Sequence, residues 1–149
     1  MALGPTLKAK KDFGADQVLF ATNNKITETG AANFLLATDD SLLTKDLDES
    51  FLHGVTRDSI LTLGESFGLS TEQRAINVDE LKAWQGEAFL TGTAAVVAPV
   101  GSLIFDGTTQ SLGDGQPGPT TLRLRKALTD IHTGLVEDKF GWLTVISAS

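Results

Sequence analysis

Short apolar runs interleaved with a few helical segments, in no regular alternation, predict a mixed α+β domain more than a doubly wound sheet. Length and composition set its scale. A chain of 149 residues with 41% hydrophobic content supports one core and is too short for two ordinary domains. The turn-forming residues, glycine and proline above all, gather in Asp106 to Pro119, a turn-rich loop just ahead of the last helical pattern.

Element by element, Pro5 to Phe13 with Gly14 behind it predicts a short helix stopped by glycine, and Gln17 to Ala21 a strand. The stretch TNNK predicts a turn, and NFLLATDDSLLT two short strands in a hairpin around Asp39 and Asp40. From Thr56 to Phe67, Ile60, Leu63 and Phe67 recur at helical spacing. Asp58 stands in the first turn, where the helix dipole favours it, and Gly68 is the stop. STEQRAIN predicts a strand, and Asp79 to Trp84 a short helix capped by Asp79. Ala88 to Phe105 predicts two strands broken near Pro99 and Gly101, and Thr120 to Thr133 an amphipathic helix ended by Gly134. Neither an internal repeat nor a low-complexity tract is visible.

Charge and composition exclude several function classes. The net charge of −7, with no basic cluster beyond Lys8 to Lys11, argues against a nucleic-acid or anionic-membrane surface as the main partner. With no cysteine, neither a disulfide framework nor a thiolate metal site is possible, which fits a cytoplasmic location. No apolar run reaches membrane-spanning length, and Met1 to Lys11 lacks the pattern of a signal peptide. His53 and His132 are the only histidines, so a zinc site is not expected. His132 reads instead as a helix C-terminal residue. Gly113 to Gly118 fits the glycine spacing of a dinucleotide fingerprint but lacks the surrounding strand-turn-helix. DDSLLTKDLDES lacks the alternating ligands and central glycine of a calcium loop, and no serine sits in a G-x-S-x-G elbow.

Two glycine-threonine elements stand out. In AFLTGTAAVVAPV, residues 88 to 100, an apolar run is interrupted by Thr91-Gly92-Thr93-Ala94-Ala95. Such a stretch is either a bulge where backbones pack tightly or a place where N–H groups and a hydroxyl meet an anion. In LHGVTRDSI, residues 52 to 60, Gly54 precedes the helix start at Val55 and Thr56, so free helix N–H groups open beside a glycine. An ordinary cap by Thr56 is the other reading. Taken together, the two elements favour a shared anion.

As a set, ITETGAANF, LLT at 42 to 44, LHGVTRDSI, FLTGTAAVVAPV, GDGQPGPTT and LTDIHTGLVEDKFGWL resemble the class IV pyridoxal-phosphate aminotransferases in order and spacing. The resemblance runs from about Gly14 to Leu143 and is strongest to the branched-chain amino acid aminotransferases, whose C-terminal large domain it matches. It implies the mixed-sheet pseudo-barrel of the D-amino acid aminotransferase-like enzymes. The implied activity is amino transfer between leucine, isoleucine or valine and 2-oxoglutarate, with pyridoxal 5′-phosphate as cofactor and a homodimer or larger assembly.

By the same resemblance, Glu28 matches the carboxylate that pairs with the cofactor's pyridine nitrogen and keeps it protonated. Leu52 lies against the ring face, Val55 and Thr56 serve the phosphate, and Thr93 contacts the same phosphate. The N–H groups of Thr93 and Ala94 face the substrate carboxylate, and Ala95 borders the substrate pocket. His53, Leu35, Ala31 and Val96 depart from the family's usual proline, aromatic, glycine and glutamate. These departures bear on substrate preference more than on the cofactor. The family's Schiff-base lysine, in a K-x-x-x-N-Y segment ahead of the glutamate, falls before residue 1 by this register, and Lys8, Lys10 and Lys11 read as solvated. Residues 1–149 are therefore expected to be the large domain without its small domain and lysine segment, and inactive alone. The other readings are a non-catalytic module that binds the cofactor or an anion, or serves assembly, and a class IV enzyme acting on D-amino acids or aminodeoxychorismate.

Overall fold

A computed structural model describes residues 19–22, 24–29, 33–46, 55–92, 96–105, 108–135 and 140–141. Its centre is a five-stranded mixed sheet in the order β5-β4-β3-β6-β7. The strands are β3 (Asn33–Ala37), β4 (Ser41–Thr44), β5 (Ser70–Gln73), β6 (Glu87–Gly92) and β7 (Val96–Val100). Every neighbouring pair is antiparallel except β4 and β5, which run parallel with Thr44 beside Gln73. A parallel pair needs a crossover, and α1 (Val55–Ser66) supplies it.

Strand alternation divides the core in two. On one face Leu35, Ala37, Leu42, Phe89 and Val97 pack under α1 and α3 (Pro119–His132), meeting Ile60, Leu61, Leu63, Leu124, Leu128 and Ile131. On the other, Phe34, Leu36, Leu43 and Ala88 pack with Ile26, Ile76, Leu81 and Leu112. Each fully buried aliphatic side chain contributes roughly 1.5–3 kcal/mol relative to exposure. With apolar residues used on both faces, β3 is buried at all five positions, which explains why NFLLA reads as a continuous run.

The second face is closed by smaller elements. A hairpin of β1 (Leu19–Thr22) and β2 (Lys25–Thr29) turns at Asn24, whose φ of 63° suits asparagine. Backbone bonds from Ile26 N–H to the Ile76 carbonyl and from Val78 N–H to the Asn24 carbonyl hold it to the segment leading into α2 (Val78–Lys82). Arg74 braces that segment, its guanidinium forking onto the Glu80 carboxylate at 2.8 and 3.0 Å. The Glu80 hydrogen bond holds the Arg74 pKa above its usual value, ahead of a smaller lowering by desolvation. The hairpin of β8 (Ser102–Phe105) and β9 (Thr108–Ser111) completes this side.

Several expectations need correction. Of TNNK, Asn24 is the turn, while Thr22 ends β1 and Lys25 begins β2, and STEQRAIN is a strand only over its first four residues. Among its described residues Ala88 to Phe105 holds three strands: Pro99 sits inside β7, an edge strand that tolerates it, and Gly101 separates β7 from β8. The loop Asp106 to Pro119 contains β9, whose polar TTQS carries no apolar alternation. Asp79 is not the cap of α2. Asn77 holds that position without a side-chain cap, and the Asp79 carboxylate instead accepts from Asn24 Nδ2 at 3.1 Å. The helix expected over Pro5 to Phe13 lies outside the described residues.

Candidate functional site

Register and crossover bring several chain segments to one end of the central sheet. β3 begins there with Asn33 opposite Thr91 of β6, β4 and β5 end there at Thr44 and Gln73, and β6 ends at Gly92 opposite Val96, where β7 begins. The start of α1 lies at this same end. Arg57, in its first turn, donates from Nη2 to the Lys45 carbonyl just past β4 at 2.9 Å and to Gln73 Oε1 at the end of β5 at 2.8 Å. Val55 and Thr56 therefore open α1 at the sheet end where Gly92 closes β6. Glu28, opposite Phe20 in the β1–β2 hairpin, precedes this end by the short connection to Asn33.

The first-turn N–H groups of a helix have no intrahelical partner and form the positive end of its dipole, so they suit an anion. Thr56 is half-buried, and Asp58 is the one acidic residue of that turn. Thr91 is 1% exposed, and its Oγ1 has no hydrogen-bond partner among the described residues. A buried hydroxyl without a partner costs about 1–3 kcal/mol. Its place, one residue before Gly92 on the face that α1 covers, is a setting an anionic ligand or an ordered water would satisfy. These features fit the phosphate of pyridoxal 5′-phosphate.

Of the residues predicted for the site, Thr56 is described with its side chain, while Glu28 and Val55 are described by their backbone. Leu52, Thr93, Ala94 and Ala95 lie outside the described residues. Thr91 and Gly92 end β6 and β7 begins at Val96, so the run from Ala88 to Val100 holds two antiparallel strands and not one.

Sequence reasoning missed Arg57 and Glu87, and in the stretch from Thr91 to Ala95 it gave roles to Thr93, Ala94 and Ala95 but none to Thr91. A signal existed for the first: Arg57, Ile60, Leu61 and Gly64 share one helical face, so an arginine occupies a position whose period belongs to the core. Glu87 likewise shares the inward alternation of Phe89.

The opposite end of the sheet carries a cleft of about 500 Å³ whose lining includes Ala37, Thr38, Glu87, Gly113 and Pro119. The glycine loop from Gly113 to Gly118 borders it. The strand before that loop is antiparallel β9, so no dinucleotide βαβ unit exists there. The start of α3 is already filled by a protein anion, since the Glu87 carboxylate accepts from Thr120 N–H and Thr121 N–H. His132 stands in the last turn of α3, as its sequence position predicted. Among the described residues, no helix is long and apolar enough to cross a membrane.

The family model for amino-transferase class IV matches residues 6–103. Branched-chain-amino-acid aminotransferase 2 of Bacillus subtilis (strain 168) is 36% identical over 154 residues, which cover 96% of this chain and 42% of the relative. The branched-chain aminotransferase of the archaeon Thermoproteus uzoniensis, solved with norvaline, superposes with a TM-score of 0.81 at 27% identity, covering 96% of this chain and 46% of its own. A branched-chain amino acid aminotransferase from T.th., solved with pyridoxamine 5′-phosphate, gives a TM-score of 0.78 at 30% identity over 93% of this chain and 45% of its own. The chain thus spans less than half the length of these relatives.

Proposed function

Because the chain belongs to the class IV aminotransferases, we propose that it forms the C-terminal large domain of a branched-chain amino acid aminotransferase, moving the amino group between leucine, isoleucine or valine and 2-oxoglutarate. The observation that carries this reading is the shared sheet end, where α1 opens at Val55 and Thr56 and β6 closes at Gly92. Class IV aminotransferases are pyridoxal 5′-phosphate enzymes, and that cofactor, when bound, supplies the electron sink for loss of the substrate Cα proton.

The protein's own residues then divide the work. Val55 and Thr56 would offer N–H groups and a hydroxyl to the phosphate, Thr93 would contact the same phosphate, and Leu52 would lie against the ring face. Glu28 keeps the proton on the pyridine nitrogen, since a carboxylate partner favours the charged ring. The N–H groups of Thr93 and Ala94 hold the substrate carboxylate, and the small Ala95 leaves room for a branched side chain. The buried Thr91 hydroxyl supports this reading, because it sits at the same end without a protein partner among the described residues.

The same reading assigns a cytoplasmic enzyme, in keeping with the absence of cysteine, and a homodimer or larger assembly, in keeping with exposed Leu122 and Leu135. The test offers the whole polypeptide leucine and a D-amino acid as amino donors to 2-oxoglutarate and, separately, aminodeoxychorismate as a substrate for elimination of pyruvate. Transfer from leucine to 2-oxoglutarate, reduced by Thr56→Val through cofactor affinity, is the expected result. Preference for the D-amino acid, or elimination from aminodeoxychorismate, would overturn the substrate, and no cofactor binding at all would leave a non-catalytic module.

A further inference from the structure

Arg57 stands in a costly place. It is 1% exposed, in the first turn of a helix, where a cation opposes the dipole and burial of a charge costs several kcal/mol without compensation. The helical period assigns the position to the apolar face with Ile60 and Leu61, where leucine or methionine would serve packing without that cost. What the guanidinium does instead is tie three elements together. Nη2 donates to the Lys45 carbonyl at 2.9 Å and to Gln73 Oε1 at 2.8 Å, and Nη1 donates to Asp58 Oδ1 at 3.0 Å. A flat, multi-donor fork can hold such a set in one geometry, and an ammonium cannot.

We propose that Arg57 is a positioning residue for phosphate recognition: it locks the open N–H groups at the start of α1 to the ends of β4 and β5, so that they face Gly92 across the sheet end. The inference rests on the phosphate site proposed above and adds to it. Among the described residues Arg57 meets the ends of β4 and β5 and its own helix, and the role proposed for it is to position the donors. Its effect is to fix where the donors point and to add positive charge within the same first turn.

The test compares affinities of pyridoxamine 5′-phosphate and pyridoxamine for the wild type, Arg57→Lys and Gln73→Leu, followed by amide chemical shifts of Thr56 and Arg57. Damage to the fold weakens both ligands alike, whereas displacement of the helix start weakens only the phosphate-bearing one. In both variants the ratio of the two affinities is expected to fall by about tenfold, the order that outer-shell partners contribute at other sites. Gln73 is exposed on an edge strand, so Gln73→Leu keeps the test valid if Arg57→Lys fails to fold. A wild type that prefers the phosphate-bearing ligand, with both variants keeping the full ratio, would overturn the role of Arg57 and leave the site. A wild type with no such preference would overturn the phosphate site itself, and this inference with it.

Discussion

The carboxylate of Glu87 closes the start of α3 from another element: its two oxygens accept the N–H of Thr120 at 3.1 Å and of Thr121 at 2.7 Å. The helix has glycine, not a side-chain donor or acceptor, at its own cap position, so these orphan N–H groups depend on the first residue of β6. Glu87→Ala is expected to lower stability by about 2 kcal/mol and Glu87→Gln by about 1 kcal/mol, since the amide keeps one acceptor but not the charge. Urea unfolding checks this, with the midpoint shifting and the slope unchanged.

Gly118 allows that approach, because a Cβ added there would overlap the Glu87 side chain. Gly118→Ala should cost about 1–3 kcal/mol, the range for overpacking. In a Glu87→Ala background the same change should cost much less. A double-mutant cycle that shows simple additivity would refute this contact.

Gly64 lies inside α1, where alanine would gain about 1 kcal/mol of helix propensity. Against that, its Cβ would stand 2.5 Å from Leu42 Cδ1 in the fully buried core. Overpacking wins by this comparison, and Gly64→Ala is expected to destabilise, with Leu42→Val in the double variant restoring part of the loss. Thermal melts of the two single variants and the double variant decide it.

Thr91→Val removes a buried hydroxyl that has no protein partner among the described residues. Stability should rise, by about 1 kcal/mol, while affinity for pyridoxamine 5′-phosphate should fall. Opposite signs in calorimetric melting and ligand titration are the expected signature. A gain or loss in both would separate Thr91 from the anion.

Thr93→Val should weaken binding of pyridoxal 5′-phosphate by about 1–3 kcal/mol through loss of a phosphate donor. Glu28→Gln should leave affinity nearer to wild type but shift the absorbance of the bound cofactor, because an amide does not hold the ring nitrogen's proton as a carboxylate does. Identical spectra for wild type and Glu28→Gln would remove Glu28 from that role.

Local pattern carried the parts of the fold that neighbours in sequence define. The α1 helix was legible from Asp58, Ile60, Leu63 and Gly68 alone, and the β3–β4 hairpin from two apolar runs around Asp39 and Asp40, because helical spacing and tight turns involve residues a few positions apart. β2 and β9 were missed for the converse reason. KITET and TTQS have little apolar alternation of their own, and each is a strand because a partner is there to pair with it. Among the proposed site residues, the glycine-threonine elements at 54 to 56 and 91 to 93 announced themselves by composition. Arg57 and Glu87 looked like ordinary charged residues, although each sat at a core period.

The chain's own order of residues was enough for its class and its family resemblance, and it supplied the candidates for the phosphate site. Where those residues meet was decided in three dimensions. Nothing in STEQ says that it runs parallel beside Ser41–Thr44, yet that pairing sends α1 back across the sheet and sets Val55 and Thr56 at the end where β6 finishes. Arg57 then joins Lys45 and Gln73, 12 and 16 positions away in the chain, and Glu87 joins Thr120 and Thr121 across more than thirty. Hydrogen bonds at such separation depend on strand order and register, which arise when the two faces of the sheet bury their apolar residues together, and no local propensity encodes that choice.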